Sequence, residues 1–172
     1  MYIIPEKIHL FNVYHAGQKL IGISDEVTLP DFEAVTDTMA GPGMLGEMES
    51  VAMGQFTSIE MEVPFRQMYE DMFLFIDQTT ALDLTFRGSI QVMNSETTGL
   101  DFVPMRIVTR GRCKGITGGK AKQGTGTASS IKLEVYYILI EINGVTELEL
   151  DKLNFVYKVH GKDLLEKVRK MC

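Results

Sequence analysis

The chain has 172 residues, of which 45% are hydrophobic and 23% charged, a composition that suits one globular domain and argues against disorder. Its net charge of −6 disfavours specific binding to a phosphate backbone, although an acidic wall can surround DNA without holding it. The two cysteines, Cys113 and Cys172, give no zinc pattern and no disulfide framework, and we expect reduced thiols, with a disulfide between them left open.

The hydrophobic pattern predicts mostly β-strands. Residues 20–29 form a moderately apolar run closed by a proline, and residues 32–39 alternate only loosely. Residues 58–63 alternate cleanly between apolar and polar side chains, which is typical of a strand with one buried face. Further strands are predicted at residues 84–93, 103–114 and 131–142, and a tight turn at 143–144 leads into returning strands at 147–159.

Two helices are also predicted. The first begins at Pro64, because proline is tolerated in the first turn, and its apolar residues from Phe65 to Ile76 recur at helical spacing. The second covers residues 162–171, with Asp163 near its start and cations near its end, as the helix dipole favours.

The order of these elements indicates a fold class. Strands surround one central helix without βαβ alternation, so we expect a mainly β fold: an antiparallel sandwich or barrel with one packed helix and a possible short C-terminal helix. No linker or repeat divides residues 1–172, which predicts a single domain. Residues 40–54 and 116–130 are rich in glycine and are expected to be functional loops or mobile segments.

No catalytic or metal-binding signature is visible in the sequence. The three histidines do not stand at metal-ligand spacing, and residues 115–120 resemble a phosphate loop but lack its Gly-Lys-Ser/Thr ending. Glu60 and Glu62 lie two apart on a predicted strand, which is far more typical of a solvated face than of paired catalytic acids. We therefore predict no enzyme activity, no cofactor and no metal.

A row of cations on one face of the predicted strand at 103–114 has two readings. It could meet an acidic partner or a neighbouring copy of the chain, or it could be a solvated strand face that resists aggregation. The row consists of Arg106, Arg110, Arg112 and Lys114.

Several short motifs in the first third of the chain carry a resemblance to a known family. They read LFNV at residues 10–13, EVTLP at 26–30, AGPGM at 40–44 and MG at 53–54. In this order they resemble the major tail tube protein of contractile-tailed phages and the matching tube protein of R-type bacteriocins. Beyond residue 54 the likeness is thinner but keeps its order. One departure is Pro42, which separates two glycines that the family usually places side by side.

The resemblance implies a small β-sandwich that forms hexameric rings, which stack into a hollow tube inside a sheath. Implied partners are further copies of the chain, the tail sheath protein, and the baseplate or tube-initiator and tape-measure proteins. DNA would be only a non-specific cargo in the channel, and no membrane anchor is expected. Such a protein is made in the host cytoplasm and assembled into a virion tail or a phage-tail-like particle.

Two sets of residues are candidates for functional roles in such a tube. The first forms a loop between subunits or rings, because a segment rich in glycine and methionine lacks partners in its own core. The second is acidic and would line the channel, since a negative wall repels DNA phosphates. The loop set is Gly41, Pro42, Gly43, Met44, Gly46 and Met53, and the channel set is Glu33, Asp37, Glu60 and Glu62.

Two other functions stay open at this point. A ring protein like that of type VI secretion would pair with different secretion components. A small-ligand-binding β-barrel would be a discrete monomer with an apolar cavity.

Overall fold

The computed structural model describes residues 2–172, and most of them lie in antiparallel strands, which confirms the predicted mainly β fold. The two short helices are α1 (Glu70–Leu74) and α2 (Glu166–Arg169). The strands are β1 (Ile3–His15), β2 (Gln18–Lys19), β3 (Ala34–Met39), β4 (Met48–Phe56), β5 (Glu60–Phe65), β6 (Leu82–Asn94), β7 (Leu100–Thr117), β8 (Ser129–Ile142), β9 (Val145–Asp151), β10 (Val156–Val159) and β11 (Lys162–Asp163).

The main sheet has the order β11-β10-β9-β8-β7-β6-β1-β2, and β5 pairs with β8 as an additional strand. Irregular backbone between β2 and β3 links the β1–β2 end of the main sheet to β5 on its other side. The amide of Leu20 donates to the carbonyl of Val13 at 2.8 Å, and further along Ile23 pairs with Phe65 of β5. These contacts link β1, through residues 20–28, to β5, so strands β1, β6, β7, β8 and β5 curl into a barrel.

Strand β8 divides its outer edge between two partners. Residues 129–134 pair with β5, whereas residues 137–142 pair with β9. A bulge at Tyr136 separates the two halves, and its carbonyl accepts a bond from the amide of Lys152 at 3.0 Å. Bulges bend a strand, so this one marks the point where the closed barrel gives way to an open sheet.

The barrel interior is filled by alternate side chains of the strands. Residues 58–63 place Ile59, Met61 and Val63 inside with exposures of 1% or less, which confirms the predicted alternation. From α1 and its C-terminal end, Met72 and Phe75 are buried against this core. The other core residues are Val13, Phe65, Leu82, Leu84, Phe86, Ile107, Cys113, Ile131, Leu133, Val135, Ile138 and Leu150.

The first predicted helix was wrong in its start and length. Pro64 and Phe65 belong to β5, where they pair with β8, and the helix covers only Glu70–Leu74. Apolar residues at 61, 63 and 65 alternate as in a strand, although Phe65 also fits the helical spacing that begins at Pro64. Because Pro64 and Phe65 pair with β8, they belong to the strand. Met68, Tyr69 and Phe73, assigned to the buried helix face, are exposed instead.

Three other predicted boundaries differ from the structure. Residues 20–29 form irregular backbone, because this segment crosses from β1 to β5. It makes only two isolated bridges, both to β5. The predicted helix at 162–171 is only Glu166–Arg169, since the preceding residues form β11. The glycine-rich loops are shorter than 40–54 and 116–130: β4 begins at Met48, and β7 and β8 leave only residues 118–128 between them.

Gly111 of β7 is a position where the barrel tolerates no side chain. A Cβ there would lie 2.1 Å from the carbonyl oxygen of Glu134 in β8. We expect Gly111→Ala to lower the free energy of unfolding by about 2 kcal/mol, as overpacking typically does. Urea denaturation would measure it. The matched control is Gly115→Ala on the same strand, where a Cβ would meet nothing within 4 Å, and equal losses in both variants would contradict the expectation.

The two cysteines are free and lie in different surroundings, so they form no disulfide with each other. Cys113 is 6% exposed in the barrel core, and burial raises the pKa of its thiol, whereas Cys172 is exposed. Because the thiolate is the reactive form, we expect a thiol reagent to modify one cysteine per chain quickly and the second only after denaturation. Two fast equivalents from the native chain would contradict this, and Cys172→Ser should remove the fast one.

Candidate assembly surfaces

The hairpin formed by β3 and β4 stands apart from the main sheet. Within residues 2–172 these two strands pair only with each other, from Met39 opposite Met48 to Ala34 opposite Phe56. The hairpin is attached at its base, where the Phe56 ring lies 5.3 Å from that of Tyr157. A strand of this length reaches about 20 Å, so the hairpin tip is carried well away from the barrel.

The surface of this hairpin is apolar and acidic. Leu45 at the tip is fully exposed, and neither edge of the hairpin is paired by another strand of the described chain. Residues 34–56 hold Asp37, Glu47 and Glu49 but no lysine, arginine or histidine. An isolated two-stranded hairpin is marginal in water, so a partner surface would stabilise it. The exposed apolar residues are Val35, Met39, Met44, Leu45, Met48, Val51 and Met53.

The structure places the six predicted loop residues on this one hairpin. Gly41, Pro42, Gly43, Met44 and Gly46 lie in the tip between the strands, and Met53 lies on β4. Gly43 and Gly46 have φ values of +93°, a conformation that favours glycine. Their role between subunits stays a prediction.

A second exposed surface is the upper part of the main sheet, which we call the sheet extension: residues 3–10 of β1, 88–94 of β6 and 100–106 of β7. The first eight residues of β1 are exposed, and their edge away from β6 has no strand partner within the described residues. Sequence analysis missed this surface, although apolar residues on both faces of a strand were its signal. Its exposed apolar residues are Ile3, Ile4, Ile8, Leu10, Leu100 and Phe102.

The acidic residues predicted to line a channel lie on two different elements. Glu60 and Glu62 are on the outer face of β5, where Lys114 forms an ion pair with Glu60 and the Ser130 hydroxyl donates to Glu62 at 2.5 Å. Asp37 lies on β3, and Glu33 precedes that strand at the base of the hairpin. The structure does not unite all four on one strand, and lining of a channel remains a prediction.

The predicted basic row does lie on one face of β7, but most of it is paired within the chain. Arg106 contacts Glu141 at 2.5 Å, Arg110 contacts Asp83 at 2.7 Å, and Lys114 pairs with Glu60. The hydrogen bond with Asp83 raises the pKa of Arg110, and the one from Lys114 lowers the pKa of Glu60. Arg112 alone forms no ion pair with another residue in 2–172. A partner-facing role for the row stays a prediction.

Residues 2–172 contain no group of three or more His, Cys, Asp or Glu side chains placed to hold a metal ion. A surface cleft of about 770 Å³ lies between β1 and residues 19–27, open to solvent and lined largely by apolar side chains. None of the helices in this part of the chain has the length and apolar character needed to cross a membrane.

A β-rich unit with a free sheet edge and an unpartnered apolar hairpin is typical of a subunit that buries these surfaces against other protein chains. Comparison with known families agrees with this class: residues 5–171 match the family described as phage tail tube protein FII. The chain belongs to this family of tail tube proteins. It is a structural subunit of a phage tail tube and not an enzyme, and tail tube proteins are components of the phage particle.

The curated relatives match over nearly the whole chain. The tail tube protein of Escherichia phage P2 is 30% identical over 170 residues, covering 97% of this chain and 96% of that protein. The major tail tube protein of Serratia phage KSP20 is 31% identical over 162 residues, covering 94% and 91%. These relatives confirm the resemblance drawn from the motifs.

The fold also occurs in a solved structure. It is the sheath/tube terminator of an extracellular contractile injection system, PVC, in its extended state, solved by cryo-electron microscopy. The likeness has a TM-score of 0.57 at 16% identity and covers 80% of this chain and 96% of that one. It supports the β architecture alone.

Proposed function

We propose that this tail tube subunit forms hexameric rings that stack into a hollow tube, and that residues 1–172 act as a single domain. The observation that carries the proposal is the free edge of β1, whose first eight residues are exposed. An unpaired strand edge is a template for pairing with another chain, and a ring of copies satisfies every such edge by closure. The contact is head-to-tail, so each subunit uses two different surfaces.

The exposed apolar residues support the same proposal. The sheet extension and the β3–β4 hairpin together expose a run of large apolar side chains that a soluble monomer rarely leaves uncovered. In the proposed assembly the sheet extension forms the ring, and the hairpin reaches a neighbouring subunit or ring. The glycines of its tip, Gly41, Gly43 and Gly46, allow it to adapt to that contact.

The channel wall of the proposed tube is acidic. The net charge of −6 supports this assignment, and Glu33, Asp37, Glu60 and Glu62 remain its candidates. A negative wall lets DNA, or ions in a headless particle, pass without binding. The outside of the tube contacts the tail sheath protein, and its ends meet the baseplate or tube-initiator and tape-measure proteins. A reconstructed cross-section with these four carboxylates on the outside would contradict the channel assignment.

The experiment that tests the proposed function is direct. The purified chain is concentrated and viewed by negative-stain electron microscopy, with its mass in solution followed by light scattering. We expect stacked rings with a central channel and six subunits per ring. A compact monomer at every concentration would overturn the proposal and favour a monomeric carrier.

A further inference from the structure

Two oppositely charged surfaces form no ion pairs with other residues in 2–172. The β3–β4 hairpin carries Asp37, Glu47 and Glu49 without a cation, and none of the three forms an ion pair with another residue in 2–172. The loop 118–128 between β7 and β8 carries Lys120 and Lys122 without an acid, and these two are likewise unpaired in the described chain. The basic row on β7 differs, because most of its charges are already paired.

The basic loop is joined to an exposed apolar surface next to α1. The Thr127 hydroxyl accepts a hydrogen bond from the amide of Met68 at 2.8 Å, and the amide of Ala128 donates to the carbonyl of Arg66 at 3.3 Å. These bonds hold the loop beside Met68 and Tyr69, which are 37% and 65% exposed.

A hollow of about 300 Å³ lies beside the same segment, residues 65–71, on the side of residues 21 and 22. Its lining includes Ile21, which is 81% exposed, together with Arg66 and Tyr69. Asp71 also lines it. The hollow has room for a leucine side chain, and we call it, together with Met68 and the loop 118–128, the acceptor face.

We propose that the acceptor face of one subunit binds the hairpin tip of another copy, with Leu45 in the hollow and Glu47 and Glu49 against Lys120 and Lys122. This inference rests on the proposed tube and names the two surfaces that meet in it. Apolar side chains on both sides supply the buried area, and the complementary charges orient the contact. A hairpin from one copy on a different face of the next is a head-to-tail contact, which repeats from subunit to subunit.

A charge-reversal exchange tests the proposal. Three variants of the full chain are compared with wild type for the protein concentration at which rods appear: Lys120→Glu with Lys122→Glu, Glu47→Lys with Glu49→Lys, and all four together. We expect each double variant to need about tenfold more protein at low salt, because two exposed pairs per contact turn repulsive. The fourfold variant should return towards wild type.

Controls separate this contact from a general effect of charge. Lys167→Glu with Lys170→Glu on and beside α2 changes the net charge by the same amount and should assemble like wild type. In roughly 1 M salt, where the Debye length is about 3 Å, the differences among the variants should shrink. Circular dichroism melts confirm that every variant is folded.

The outcomes are distinct. Wild-type rods with no defect in the Lys120 and Lys122 variant, or no recovery in the fourfold variant, would overturn the acceptor face and leave the ring proposal intact. Absence of rods from the wild-type chain would instead overturn the ring proposal, and this pairing with it.

Discussion

Replacing residues 40–47 with Asn-Gly is expected to give a folded chain that no longer builds long tubes. The change removes the tip with Met44, Leu45 and Glu47 and closes β3 and β4 with a two-residue turn, which Asn-Gly favours. In negative-stain images we expect single rings or very short stacks in place of rods. In the proposed assembly the apolar tip buries its surface against another copy, and the variant would lose that contact.

The stability of the free chain should change little. The removed residues are exposed in the described chain, so the free energy of unfolding should stay within about 0.5 kcal/mol of wild type. Urea denaturation of dilute protein measures this, and it separates an assembly defect from a folding defect. Rods with the wild-type length distribution would show that the tip has no role between subunits.

A matched control keeps the tip and removes apolar surface elsewhere. Leu153 lies in the turn between β9 and β10 and is 74% exposed, so Leu153→Ser removes an exposed leucine outside the two surfaces described. We expect it to assemble normally. Failure of both variants would mean that any loss of surface leucine impairs assembly.

The strands were predictable where one face of the strand is buried in the core and the other is exposed to solvent. Residues 58–63 show this, because the same alternation that predicted the strand fills the barrel with Ile59, Met61 and Val63. The Asn143-Gly144 turn was predictable for a local reason: both residues adopt positive φ, 52° and 76°, which asparagine and glycine tolerate.

The short helix was less predictable, because its neighbours in the sheet decided its limits. Pro64 and Phe65 fit both a helix start and a strand end, and only pairing with residues 129–130 of β8 resolves them. Residues 20–29 show the opposite case. Their apolar content suggested a strand, but the segment must cross from β1 to β5, so it forms only isolated bridges.

The candidate surfaces were likewise predictable only in part. Glycine and methionine content was enough to predict a loop within residues 40–54, although only residues 40–47 lie outside β3 and β4. Internal pairing of the basic row was not predictable, since Arg106 and Glu141 are 35 residues apart in sequence and meet only across two paired strands. The free edge of β1 was also missed, because apolar residues on both faces indicate a strand buried within its own chain as readily as one that pairs with another copy.

Placing lysines along the edge of β1 is expected to abolish ring formation. Ile3 and Ile8 are 57% and 44% exposed on the sheet extension, so Ile3→Lys with Ile8→Lys should leave the barrel core intact. Charged edge residues prevent strands from pairing across chains, which is how natural edge strands avoid association. Light scattering should report a monomer at concentrations where wild type forms rods.

Hydrogen exchange tests the same edge without a substitution. Within residues 2–172, those amides of residues 3–10 that point away from β6 have no strand partner, so they should exchange quickly in the free chain. In assembled rods the same amides should become protected, because they donate to the next copy. Amides of β6 at residues 84–90 lie between β1 and β7 and serve as the reference, protected in both states. Equal exchange along β1 in free chain and rods would show that rings close through some other surface.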